Sequence, residues 1–317
     1  METFTTPFIS VLKLFLISFA GYIIFKIKPL KNSYKYLLFY VIDFALPILI
    51  IGRMTLKLSY AEISRYIYII IAGTIIVVAG LFIGIIITKI FKINNKYKSI
   101  FIGLMTFTNM GYLPIPLFES IFTGQDVIQA QLYVFLIIIP FHLFLWSIGV
   151  PLILNKSFKL KEFKFKWTSP FIAVLAGLIM PLFKINPESL SPIMPYFNII
   201  TKSLNPLLMV MLGGAFANMN LSNIKFDRHV LAIIISKLII FPGIATLVII
   251  HLNISMLLKL FLVVEFAVPP AVNIVLINKR YGGTEENLKF ILSSMVFTYL
   301  AAILTLPLFI ALTRYFG

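Results

Sequence analysis

Apolar residues run along this chain in long stretches, separated by short loops in which lysine and arginine collect. The stretches fall at about 6–27, 34–54, 66–90, 98–119, 128–153, 168–184, 195–218, 229–252, 257–278 and 287–313. Each lies in or near the range of roughly 17–25 residues that a helix needs to cross a bilayer. In lipid every backbone polar group must find its partner within the protein, which leaves helices and closed barrels as the spanning structures. The pattern therefore predicts an all-α membrane protein with ten transmembrane helices.

Two of the ten stretches are interrupted. In the fourth, Asn109-Met110-Gly111-Tyr112-Leu113-Pro114-Ile115-Pro116 breaks the apolar run, and in the ninth Glu265-Phe266-Ala267-Val268-Pro269-Pro270-Ala271-Val272-Asn273 does so. Proline lacks an N–H and its ring clashes with the preceding turn, so each break frees helix carbonyls at membrane depth. Irregular main chain is tolerated there only where protein or a wet cavity covers it. Paired breaks at matching places in two halves point to a transport site near the midplane.

Composition narrows the class further. Of 317 residues, 60% are hydrophobic and 12% charged, and the mean hydropathy is +1.02. The chain has no cysteine, which excludes disulfides and thiolate metal sites, and its three histidines are far apart in sequence. No cofactor and no metal site is expected. The net charge of +16 would suit nucleic acid if it formed a stripe, but it sits in loops between spans. Glu2 and the lack of a basic leader argue against a cleaved signal peptide.

The loop charges also predict orientation. Loops after the odd-numbered spans hold eighteen basic residues, against six on the opposite side. Positive loops stay in the cytoplasm, so both termini are expected outside, in a multi-pass protein of the cell membrane. The longest basic stretch, 155–167, is the natural linker between a first repeat at 1–154 and a second at 168–317. Phe8-Ile9-Ser10-Val11-Leu12 resembles Phe171-Ile172-Ala173-Val174-Leu175, and mid-helix prolines, Pro47 and Pro206, recur in spans two and seven. With five spans per repeat, the second copy enters the membrane from the opposite face, so the repeats are inverted.

Around the breaks, Asn109, Gly111, Pro114 and Pro116 face Pro269, Pro270 and Asn273 as the candidate substrate site. Gly111 admits close approach or unusual φ. The asparagines offer donors and an acceptor each, and half-helix N-termini favour an anion. Equally, the asparagines can serve to satisfy the carbonyls freed by proline. Ionisable residues inside spans are functional candidates, which selects Asp43, Lys237 and Glu265 for coupling or charge compensation. A buried lysine suits a carboxylate substrate or neutralises a carboxylate. A structural ion pair is the alternative, and His142 is either a proton site or bonded to a neighbouring helix.

At these residues the chain resembles the auxin efflux carrier family, whose members include malate permeases and the plant PIN proteins. The likeness rests on Thr108-Asn109-Met110-Gly111-Tyr112-Leu113-Pro114-Ile115-Pro116-Leu117 with Gly124, on Asn205-Pro206 with Leu212-Gly213-Gly214, and on Ala267-Val268-Pro269-Pro270-Ala271-Val272-Asn273 with Tyr281-Gly282-Gly283. It implies two inverted five-helix repeats whose fourth and ninth spans cross at their breaks, with a scaffold and a moving transport part. It implies movement of organic anions, with Asn109 and Asn273 binding a carboxylate, and it permits a homodimer. Pro114 stands where many relatives have glycine, Pro269-Pro270 is doubled, and the plant carriers' long loop is reduced, so neither auxin nor phospho-regulation is implied.

The expected function is thus secondary transport of a small organic anion by alternating access. A sodium/proton-type cation antiporter of similar architecture is the alternative, and proton or sodium coupling stays open for either. No enzyme is expected: H-E-x-x-H, G-x-S-x-G and D-D motifs are all missing.

Overall fold

The computed structural model describes residues 2–59, 63–155, 165–183, 192–222 and 224–317. Twelve helices are named here: α1 (Glu2–Lys26), α2 (Lys28–Lys57), α3 (Ser64–Ile90), α4 (Asn95–Thr106), α5 (Pro114–Ile121), α6 (Gln125–Leu154), α7 (Ser169–Phe183), α8 (Met194–Ala217), α9 (Arg228–Ile249), α10 (Met256–Ala267), α11 (Asn273–Arg280) and α12 (Glu285–Phe316). Every expected apolar stretch coincides with helix. Seven of the helices are long and apolar enough to cross a membrane by themselves; α7 is shorter, and the stretches at 98–119 and 257–278 are each split into two half-helices. Most of the expected 155–167 linker lies outside the described residues.

Helix α3 shows how the sequence builds a helix for lipid. Its inward face carries Gly73, Gly80 and Gly84, while Ile71, Ile75, Phe82, Ile86 and Ile90 are exposed. Large apolar side chains thus point outward as well as inward, where Ile69, Ile76, Val77 and Ile87 are buried, unlike those of a water-soluble helix. Lipid gives no hydrophobic reason to bury large side chains, so helices associate through small residues that let backbones approach. The closest crossing is between α1 and α8. A Cβ on Gly213 would lie 1.7 Å from the Ser18 carbonyl oxygen, and one on Gly21 would lie 2.3 Å from that of Val210. Alongside this pair, α2 packs on α7, α3 on α4 and α6, and α12 on α9, α10 and α1.

Three long helices contain a turn of π type, at Phe39–Ala45, Leu145–Gly149 and Ser236–Ile240. Each is followed closely by a proline: Pro47, Pro151 or Pro242. The proline ring pushes away the carbonyl four residues earlier and offers no N–H, so the preceding turn widens to i→i−5 bonding. Thus Leu46 N–H bonds Val41 O, Val150 N–H bonds Leu145 O, and Phe241 N–H bonds Ser236 O. The widened turns carry Asp43, Trp146 and Lys237.

Candidate functional site

The two breaks meet. Between α4 and α5, residues 107–113 are unwound, and between α10 and α11, residues 268–272 are. Asn109 N–H donates to the Pro269 carbonyl at 2.8 Å, and Ala271 N–H donates to the Phe107 carbonyl at 2.9 Å. This places Thr108 opposite Pro270 in an isolated antiparallel bridge. In that register the central pair exchanges no backbone bonds, so the missing N–H of Pro270 costs the bridge nothing. Four backbone groups released by the two interruptions satisfy one another in the protein interior.

A tyrosine completes the junction. Asn109 is 2% exposed. Its side-chain Nδ2 donates to the Tyr299 hydroxyl at 2.8 Å, and that hydroxyl donates to the Pro270 carbonyl at 3.1 Å. Asn109 Oδ1 accepts from Tyr112 N–H at 3.2 Å, closing the loop ahead of α5. Asn109 therefore clasps both breaks to α12. No motif marks Tyr299; it is one tyrosine in an apolar run, brought to the break only by folding.

A cavity of about 450 Å³ lies against the crossover. Asn109, Gly111 and Tyr112 from the first break, and Ala271, Val272 and Asn273 from the second, form one side of it. Phe141, His142, Trp146 and Tyr281 contribute aromatic walls, and Lys166, Lys279 and Arg280 supply positive charge. Among the described residues, no carboxylate lines it. Burial and the charge of nearby Arg280 lower the pKa of Lys166, with Asp43 opposing that shift.

The expected site residues divide into three groups. Asn109, Gly111 and Asn273 line the cavity. Asn273 is half-buried and its side chain makes no hydrogen bond among the described residues, unlike that of Asn109. Gly111 does not serve as a close-approach point or a positive-φ residue: a Cβ there would meet nothing within 4 Å. Its small size keeps space open. Pro114, Pro116, Pro269 and Pro270 stand behind the wall, where they start α5 or supply carbonyls to the bridge and Tyr299. The half-helix N-termini are also less available than expected, because Ile115, Leu117, Ile274 and Val275 N–H groups already bond local carbonyls.

The three charged candidates are scattered. Asp43 is exposed rather than enclosed, and accepts a 2.5 Å hydrogen bond from the Ser169 hydroxyl at the start of α7. Lys237 and Glu265 are fully buried and do not line the cavity. His142 is held by neighbours: its Nε2 lies 2.9 Å from the Trp146 indole nitrogen, 3.1 Å from the Lys166 carbonyl oxygen and 3.3 Å from the Thr168 hydroxyl.

These features have a counterpart in known sequences. The profile of the family described as Membrane transport protein matches residues 6–164 and 150–310, nearly the whole chain. No curated relative matches. With the family assigned along its length and with helices suited to a bilayer, the chain belongs to the membrane transport protein family of auxin efflux carrier type, a family of multi-pass transporters.

Proposed function

We propose that this transporter moves a small organic anion, with a carboxylate as its charged group, by alternating access at the crossover. The carrying observation is the cavity against the two breaks, which is rimmed by Lys166, Lys279 and Arg280 and lined by no carboxylate among the described residues. Its volume of about 450 Å³ suits a small metabolite. Cationic groups beside low-dielectric walls concentrate anions and repel cations, so the same rim speaks against a cation as cargo. Asn273, with its amide uncommitted, is the uncharged group that fixes the carboxylate; Asn109 holds the crossover in shape behind it.

The ten-span, two-repeat architecture belongs to this reading. It counts α7 and each half-helix pair as crossings, with repeats at 1–154 and 168–317. An inverted twofold exchanging spans one and two with six and seven would turn a contact of α1 on α8 into one of α7 on α2, and both pairs pack. It likewise relates α3 on α4 to α9 on α10. The basic loops then face the cytoplasm, the cavity opens inward, and both termini lie outside the cell membrane.

Reconstituted protein tests this directly. Liposomes containing the chain are offered labelled mono- and dicarboxylates, with an inorganic cation in a parallel arm. Carboxylate flux is expected, and Arg280→Gln is expected to lower it several-fold without changing the unfolding temperature. Cation flux with no carboxylate flux would reject the anion reading.

A further inference from the structure

Lys237 on α9 and Glu265 on α10 are the two fully buried charged side chains that the cavity leaves aside. Their surroundings differ. The Lys237 ammonium donates to the Met105 carbonyl at 3.4 Å, in the last turn of α4, and stands 4.5 Å from the centroid of the Phe241 ring. The carbonyl end of a half-helix and an aromatic face both favour a cation. Glu265, in the last turn of α10, has no equivalent support. Among the described residues neither of its carboxyl oxygens meets a hydrogen-bond donor. Its electrostatic neighbour is Lys237, which is not within ion-pair contact.

Among the described residues, no ionisable side chain other than Lys237 acts electrostatically on Glu265. The segment Phe241–Ile249 of α9 carries no ionisable side chain. On α6, Tyr133 bonds Tyr68 and His142 bonds Trp146; on α12, Tyr299 is committed to Asn109 and Pro270. Lys89 lies in the last turn of α3, and His229 lies in the first turn of α9 against the Tyr97 ring. A carboxylate taken from water without a donor is among the costliest groups a protein can bury. A proton removes that charge and needs no space for an ion or water.

We infer that Glu265 carries a proton in this conformation while Lys237 remains charged, and that the proton leaves when the crossover rearranges and the two side chains come into contact. In that step the Glu265 O–H bond breaks, the proton passes to water on the side then open, and a neutral carboxylate–ammonium pair remains. Protonation is thereby linked to conformation, since whatever binds one state better shifts the population toward it. The conformation described here is favoured as pH falls and lost as pH rises. The protonated acid follows from the local geometry alone, whereas its release during turnover rests on the alternating-access reading above.

The test therefore uses the full chain in liposomes with no substrate. Infrared spectra at neutral pH are expected to show a protonated carboxyl band that Glu265→Gln removes. Because an amide replaces an uncharged acid, that variant is expected to unfold at the wild-type temperature. A wild-type spectrum identical to that of Glu265→Gln, or a marked loss of stability in the variant, would overturn the inference by showing an ionised, paired glutamate. The conformational link is read by a Leu276→Cys probe in the cavity, in a chain with no other cysteine. Its labelling rate, taken as the ratio to the same probe in Glu265→Gln, is expected to rise several-fold on acidification. A pH-independent ratio would refute the link even if anion flux is observed.

Discussion

Asn109 and Asn273 each stand at one of the two breaks, yet folding gives them different work. Asn109 spends its amide on Tyr299 and Tyr112, so Asn109→Ala removes two hydrogen bonds and leaves the Tyr299 hydroxyl oxygen without the donor it accepts from. Loss of about 1–2 kcal/mol is expected, read as a lower unfolding temperature in detergent. Asn273→Ala, by contrast, is expected to spare stability and reduce anion flux. Gly111→Val offers a sharper separation. Its side chain would project into open space, so the unfolding temperature should hold while flux falls about tenfold, equivalent to about 1.4 kcal/mol of lost binding. Wild-type flux in Gly111→Val would remove this face from the substrate path.

The half-helices depend on each other through main chain, and here the prolines matter more than any side chain. Ala271→Pro would delete the N–H that bonds Phe107, leaving that carbonyl unpartnered inside the protein. An unsatisfied buried group costs about 1–3 kcal/mol, and lower thermal stability together with lost flux is the expected result. The α1–α8 crossing is as unforgiving for a steric reason. Gly213→Leu would force the helices apart, because even its Cβ overlaps the Ser18 carbonyl. Aggregation on size-exclusion chromatography is expected, and a monodisperse, stable Gly213→Leu protein would show that the crossing is looser than described. The breaks were legible because proline has a known, local effect. The partners that heal them were not, since nothing in a run of leucine and isoleucine says which tyrosine will arrive.

At the scale of the whole molecule, the cavity is lined by basic residues and by no carboxylate among the described residues. Lys166, Lys279 and Arg280 belong to loops or helix ends that the charge bias assigns to the cytoplasm. In inside-out vesicles, Leu276→Cys is therefore expected to react with a membrane-impermeant thiol reagent, whereas in right-side-out cells it should be protected. The opposite pattern would reverse the assigned orientation. The apolar exterior explains why the sequence carries so few charges, and the buried pair Lys237 and Glu265 stands out against that background. The sequence grouped this pair with Asp43, but folding leaves Asp43 exposed on α2, bonded to Ser169 at the start of α7, and encloses the other two.

What the sequence alone determined was the helical membrane class, the positions of the apolar stretches, and the two places where helix must fail. These follow from local causes: hydrocarbon demands internally bonded backbone, and proline cannot continue a helix. Tertiary structure decided that the two failures bond to each other, that Tyr299 and Asn109 lock them, and which polar groups were left to line a cavity. Those outcomes depend on contacts between residues more than a hundred positions apart, such as Asn109 and Tyr299. In an apolar chain, hydropathy carries no address for such contacts, because helices pack by shape and backbone approach rather than by a pattern of burial.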